Sequence, residues 1–204
     1  VQGEFGLGWT MNREKVLVED VNSNVMVRLP TGRSEVFGIG YDINPLFRLG
    51  PIFYTAPAGV RATLVNLDSC LAAATANGVL CTFRGRTPAA SIENYRLTLP
   101  EGITYDISDR LGVRRVEDQA GNVLTFEDDA IESSMGLRVT LEKDAAGRIS
   151  TITDPSGGVI AYTYDERGRL ATVTDQAGGV QTYRYDRADL LRDIIGPDGN
   201  RLRR

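Results

Sequence analysis

Residues 152–186, "ITDPSGGVIAYTYDERGRLATVTDQAGGVQTYRYD", contain much of themselves twice. Tyr164-Asp165 returns as Tyr185-Asp186 and "DPSGGV" returns as "DQAGGV", both 21 residues on. A unit this short cannot bury a face alone, so copies must stack on their neighbours, and the chain is committed to a repeat architecture. Tyr162 and Tyr164 are two apart and share one face of a strand. Asp165 ends that strand, where its carboxylate can accept backbone N–H groups of the turn "DERG". Gly168 supplies the positive φ that a short hairpin needs. "RLATVTD" is the return strand, and Asp175 to Gly178 turn the chain into the next copy, which carries Tyr183, Tyr185 and Asp186. Asp189 stands where Gly168 stood; aspartate tolerates the left-handed region better than most residues, so the turn survives. Leu170 and Val173 are three apart and should face opposite sides. Either both faces are covered there or a bulge resets the alternation.

The period extends in both directions. Gly196 follows Asp175 by 21 residues, and Lys143-Asp144 precedes Tyr164-Asp165 by 21. Another Asp-x-x-Gly turn spans Asp118 to Gly121, and "GNVLTFEDD" matches "GGVIAYTYD" at an offset of 36, which implies one repeat plus a 15-residue insertion near "AIESSMGLRVTLE". "YRLTLPEGITYDI" is a hairpin turning at Pro100-Glu101-Gly102. Upstream, "KVLVED" and "NVMVRL" alternate, with Val16 and Val18 as one set and Val25, Val27 and Leu29 as another. A turn at Pro30-Thr31-Gly32 leads to a third strand through Val36 and Phe37, completing a β-meander. "DSCLAAATANG" is either one short helix, capped by Asp68 or Ser69 and stopped at Asn77-Gly78, or an irregular insertion in a hairpin. The expected fold class is all-β: consecutive antiparallel hairpins with little or no helix. Its expected parts are residues 1–92, a meander segment with a Cys70/Cys81 loop, and residues 93–204, the hairpin repeats, clearest at 143–204.

Composition narrows the function. The chain has 204 residues and a net charge of −4, with basic residues thinly spread, which points away from nucleic acid and anionic membranes. No apolar run of about 18 residues exists to insert in a bilayer as a helix. Histidine is absent, which removes the commonest general base, the Ser-His and Cys-His pairs and most zinc sites. No catalytic residue, metal ligand or cofactor is assigned. Cys70 and Cys81 form a disulfide if the protein is exported; two buried free thiols are the alternative. The chain begins without methionine and stops inside a repeat, so it is expected to be a piece of something longer. Each tyrosine either packs between hairpins or lines a carbohydrate-binding stripe. The turn aspartates cap turns or, less simply, bind calcium, which wants several converging oxygens. Glu127, Asp128 and Asp129 form an acidic cluster best taken as a solvated turn. Arg148, Arg167, Arg169 and Arg184 are placed to stack on tyrosines and pair with aspartates as a ladder.

"YTYDERGRLATVTDQAGG" and "YRYDRADLLRDIIGPDGN" resemble YD repeats, the unit of bacterial RHS (rearrangement hot spot) proteins, toxin-complex shell components and teneurins. "FGLGWTMN", "TGRSEVF" and "YTAPAGVRATL" are similar to stretches that precede the first repeats in bacterial RHS proteins. The resemblance implies a spiralling β-shell that encloses or presents a C-terminal cargo of a large exported, secreted or cell-surface protein. It implies no enzymatic role for the shell. The implied partners are the remainder of the shell, the cargo and, through open sheet edges, other copies. An adhesion module that recognises carbohydrate or a protein is the alternative. Some family members carry an aspartyl autoprotease with paired "DPxG" elements. Here "DPSG" occurs once, at Asp154, and the next turn is "DQAG", so Asp154 is assigned to a turn.

Overall fold

The computed structural model describes residues 2–9, 11, 17–21, 24–29, 31–47, 49–68, 70–75, 78–83 and 94–203. Among these every regular element is a strand, and every ladder is antiparallel. The chain divides by internal contact into two units, residues 12–125 and residues 1–11 with 126–204. This division follows packing, whereas the division at 92/93 follows the spacing of motifs.

The strands, in chain order, are β1 (Gln2–Gly3), β2 (Gly6–Leu7), β3 (Leu17–Val21), β4 (Asn24–Arg28), β5 (Ser34–Tyr41), β6 (Leu49–Gly50), β7 (Ile52–Thr55), β8 (Thr63–Asn66), β9 (Cys70–Thr75) and β10 (Gly78–Phe83). They continue as β11 (Asn94–Thr98), β12 (Thr104–Ser108), β13 (Gly112–Glu117), β14 (Val123–Phe126), β15 (Ala130–Ser133), β16 (Arg138–Lys143), β17 (Ile149–Thr153), β18 (Val159–Tyr164), β19 (Leu170–Thr174), β20 (Val180–Tyr185), β21 (Leu191–Ile195) and β22 (Arg201–Arg203).

In the unit of residues 12–125, β3, β4, β5 and β7 pair in that order as the expected meander. Val25, Val27 and Leu29 point inward, and Val25 lies opposite Phe37. Glu35, opposite Val27, is also buried, and its carboxylate takes the Arg33 Nε–H at 2.7 Å. β11 and β12 form the hairpin expected around Gly102, which has a φ of 81° and donates its N–H to Leu99 O at 2.9 Å. Leu97, Leu99 and Ile107 are buried.

Neither alternative for residues 68–78 holds: β9 pairs in regular register with β10. The seven or eight residues between the proposed cap and the stop are too few for a helix to sustain itself. Pairing "CLAAAT" with "GVLCTF" instead satisfies the backbone of both, and the second strand carries valine, threonine and phenylalanine. Asp68 is no helix cap. Its carboxylate accepts the Asn94 backbone N–H at 3.0 Å and the side-chain amide at 2.7 Å, fixing the start of β11. The side chains of Cys70 and Cys81 lie outside the described residues, so the disulfide is untouched by this structure.

In the other unit, β15 to β22 pair strictly in sequence order. The 36-residue offset proves to be two hairpin units, not one repeat and an insertion. Four strands, β14 to β17, separate the turn at Asp118 from that at Asp154, just as four strands separate Asp154 from Gly196. The first of the two units is short because Glu127 N–H closes directly on Ala130 O at 2.8 Å. The second is in phase: Ser133 and Gly136 stand 21 residues before Asp154 and Gly157 and make the same turn bonds.

Candidate functional site

The repeat face is built from its turns. At Asp165, the backbone N–H bonds Arg169 O and the Gly168 N–H bonds Asp165 O, both at 2.9 Å. Carboxylate Oδ1 then accepts the N–H groups of Arg167 and Arg169, both at 3.0 Å. Asp144, Asp154, Asp175 and Asp186 repeat the same pair of side-chain bonds. Four amides per turn are thus satisfied locally. Asp154 is held down at about 2 by the Ser156 hydroxyl, the Gly158 and Ser156 amides and the Gln176 amide of the next turn. Burial pushes the Asp165 carboxyl up, but Arg169 and the turn amides outweigh it and the net shift is downward. These are capping carboxylates, and among the described residues no cluster of three or more acidic or cysteine side chains is arranged to hold a metal.

Asp189 occupies the left-handed slot with a φ of 62°, as its alignment with Gly168 anticipates. Its carboxylate does a second job that glycine cannot: Oδ1 accepts from Arg167 at 3.0 Å and Arg169 at 2.7 Å, tying adjacent turns together.

A bulge settles the spacing of Leu170 and Val173. Thr163 lies opposite Thr172 but Tyr164 opposite Leu170, so Ala171 is the extra residue. Ser150 and Arg192 are extra in the same way, 21 residues before and after. A bulge leaves ladder groups unmatched, and the tyrosines take them up. Tyr164 donates its hydroxyl to Ile149 O at 2.5 Å, and Tyr185 donates to Leu170 O at 2.9 Å. Above each ring lies a guanidinium: Arg148 is 4.2 Å from the Tyr164 centroid and Arg169 is 4.8 Å from that of Tyr185. Each of these arginines is also held by the aspartate of its own turn, Asp144 or Asp165. The expected ladder is therefore real for Arg148 and Arg169 at the rings and Arg167 at Asp189, while Arg184 is exposed. Burial raises all four tyrosine hydroxyl pKa values, that of Tyr164 to about 12.

What the sequence did not disclose is that the N-terminal residues lie on this face. Phe5 sits with its ring centroid 5.0 Å from that of Tyr162, and Trp9 meets Tyr183 edge-on at 5.3 Å. The Trp9 indole N–H donates to the Tyr185 hydroxyl at 2.9 Å. Ile149 N–H donates to Glu4 O at 2.8 Å, and Leu7 N–H to Gly168 O at 3.1 Å. The tyrosine faces are thus occupied by Phe5, Trp9 and two arginines and form no bare stripe for sugar rings. The acidic cluster Glu127 to Asp129 is a surface turn beside Arg138, which pairs with Glu127, Asp129 and Glu132.

The residues that make these turns are also those that a family model recognises. The RHS Repeat model matches residues 144–181 and 167–201, which spans the turns from Asp144 to Gly199. Residues 144–201 are RHS repeats. The match is to a repeat, and no catalytic family is indicated. A comparison with the curated proteins finds no match. Among solved structures, the chain is similar to one in the crystal structure of TcdB2-TccC3-TEV, at 12% identity and a TM-score of 0.30. That similarity covers 88% of this chain and 14% of the other, so the chain spans about one seventh of the length of that relative. In the RHS repeats, Tyr162, Tyr164, Asp165, Gly168, Asp175, Gly178, Tyr183, Tyr185 and Asp186 are brought together on one run of strands, β18 to β21, and their turns.

Proposed function

We propose that this chain is a non-enzymatic structural segment, part of an RHS/YD-repeat shell that encloses or presents a C-terminal cargo of a large exported protein. The observation that carries this reading is the use made of the chemically capable side chains. Each repeat spends its tyrosine hydroxyl on the preceding strand's carbonyl, its arginine on that ring and its aspartate on its own turn. Groups that would bind or react in an enzyme here join one hairpin to the next, 21 residues at a time. Partners are then the remaining repeats, continuing edge to edge, and the cargo they surround.

Limited proteolysis of the complete natural protein tests this. The segment beyond the repeats should resist cleavage, and paired Tyr164→Ala and Tyr185→Ala changes should expose it. Cleavage of that segment at the same rate in both proteins overturns enclosure. Specific glycan capture by the unaltered chain, lost in Tyr162→Ala, would make it a binding module instead.

A further inference from the structure

We propose that the tyrosine face of β17 to β21 is a recognition site for an extended aromatic peptide. Residues 4–9 are its resident ligand, and it takes the same segment from a second copy of the chain when its own is displaced. This does not depend on the shell reading.

Four features define a built site. The main chain is fixed at two points, Glu4 O to Ile149 N and Leu7 N to Gly168 O. Ile149 adjoins the bulge at Ser150, and Gly168 is the left-handed residue of its turn, so the repeat offers the peptide its irregular backbone. Two aromatic anchors, Phe5 and Trp9, rest on Tyr162 and Tyr183, the same position in consecutive repeats. β18 and β20 are two strands apart, about 9.6 Å, whereas four fully extended residues reach about 13 Å. Gly8, with a φ of 81°, and the bond from Trp9 N–H to Gly6 O at 3.3 Å shorten the segment to that span.

The site also rejects. A Cβ added to Gly6 would lie 2.5 Å from the Gly168 carbonyl oxygen and 3.1 Å from the Tyr164 ring, at a φ of +86° that side chains rarely adopt. The ligand is therefore specified as phenylalanine, glycine, any residue, glycine, tryptophan, and the indole N–H is read by the Tyr185 hydroxyl. The segment lies 176 positions from the tyrosine it bonds. Nothing local in the chain dictates which copy supplies it.

The test uses the full chain with Gly6→Val, which cannot seat its own segment, and a dye-labelled synthetic peptide of residues 1–11. Fluorescence anisotropy should show saturable binding to this variant. Binding to the unaltered chain should be about tenfold or more weaker, because a tethered segment competes at about millimolar effective concentration. The peptide carrying Gly6→Val should not bind either protein. Equal binding to both chains, or none to a Gly6→Val chain whose circular dichroism matches the unaltered protein, overturns the proposal. If Gly6→Val does not fold, the paired Phe5→Ala and Trp9→Ala chain takes its place, with the same two outcomes decisive.

Discussion

Tyr185 and Tyr164 occupy the same place in successive repeats, yet Tyr185→Phe should cost more than Tyr164→Phe. The Tyr164 hydroxyl makes one bond, to Ile149 O, whereas the Tyr185 hydroxyl donates to Leu170 O and accepts from the Trp9 indole. Removing either leaves the ring and its guanidinium partner in place. An intramolecular hydrogen bond contributes about 1 kcal/mol net, and a buried group left without a partner costs about 1 to 3 kcal/mol. Both sites are half-buried, so water recovers part of the loss. Tyr164→Phe should then cost about 0.5 to 1 kcal/mol and Tyr185→Phe about 1 to 2 kcal/mol. Trp9 is the only tryptophan, so its fluorescence during urea unfolding reports this site alone, and amide exchange over residues 149–185 gives an independent measure. A double-mutant cycle with Trp9→Phe, read by amide exchange because that change removes the fluorescent reporter, isolates the indole bond, with a coupling of about 0.5 to 1.5 kcal/mol. Equal costs for the two tyrosines, or strict additivity of Trp9→Phe and Tyr185→Phe, would refute the idea that the N-terminal segment is anchored through this hydroxyl.

Asp189→Gly relieves a left-handed aspartate, worth about 1 kcal/mol, but removes two exposed ion pairs worth about 0 to 1 kcal/mol each. Thermal unfolding should change little, while Asp189→Val, which adds strain and loses the pairs, should be clearly destabilised; equal effects would contradict this. Burial holds the Tyr164 phenol at about 12, above its ordinary value of 10.0, so its neutral form is favoured in the fold. Its contribution is full below pH 10 and disappears as pH rises through 12, a loss that Tyr164→Phe should flatten in a base titration. Asp154 shows the opposite sign. Its carboxylate, held at about 2 against 3.8, supports the fold above pH 4 and stops doing so as pH falls through 2, and Asp154→Asn should remove that acid-side slope. Protein secreted into an oxidising medium should carry a Cys70–Cys81 bond, seen as two thiols that resist alkylation until reduced; ready alkylation of both would count against it.

The features legible in the sequence are those with local causes. A turn closed by Asp165 and Gly168 is dictated by five neighbouring residues, so its recurrence shows as text, and Asp189 in the glycine slot was anticipated from backbone tolerance alone. Ser133 escaped notice because serine replaces aspartate there, although Ser-x-x-Gly at the right phase makes the same turn. Asp68 was misplaced for a related reason: an acidic residue before an alanine run suits a helix, but its partner, Asn94, lies 26 positions away.

The N-terminal segment is the extreme case. Its glycines and Trp9 look locally like any loop, and only the repeat face, more than 140 positions on, gives them meaning. The bulges make that meaning possible. A regular ladder would use every backbone group on its neighbours and offer a passing segment nothing to bond. One extra residue per repeat, at Ser150, Ala171 and Arg192, releases carbonyls and amides at fixed intervals. The tyrosines claim the carbonyls of Ile149 and Leu170, and Glu4 claims the Ile149 amide. Deleting Ala171 should therefore do more than straighten one hairpin. It should restore regular alternation in β19, turn Leu170 to the other face and remove the acceptor of Tyr185. Trp9 emission should then shift to the red, as its indole loses its partner to water. A deletion that leaves the emission unchanged would show that the bulge has no part in holding the segment.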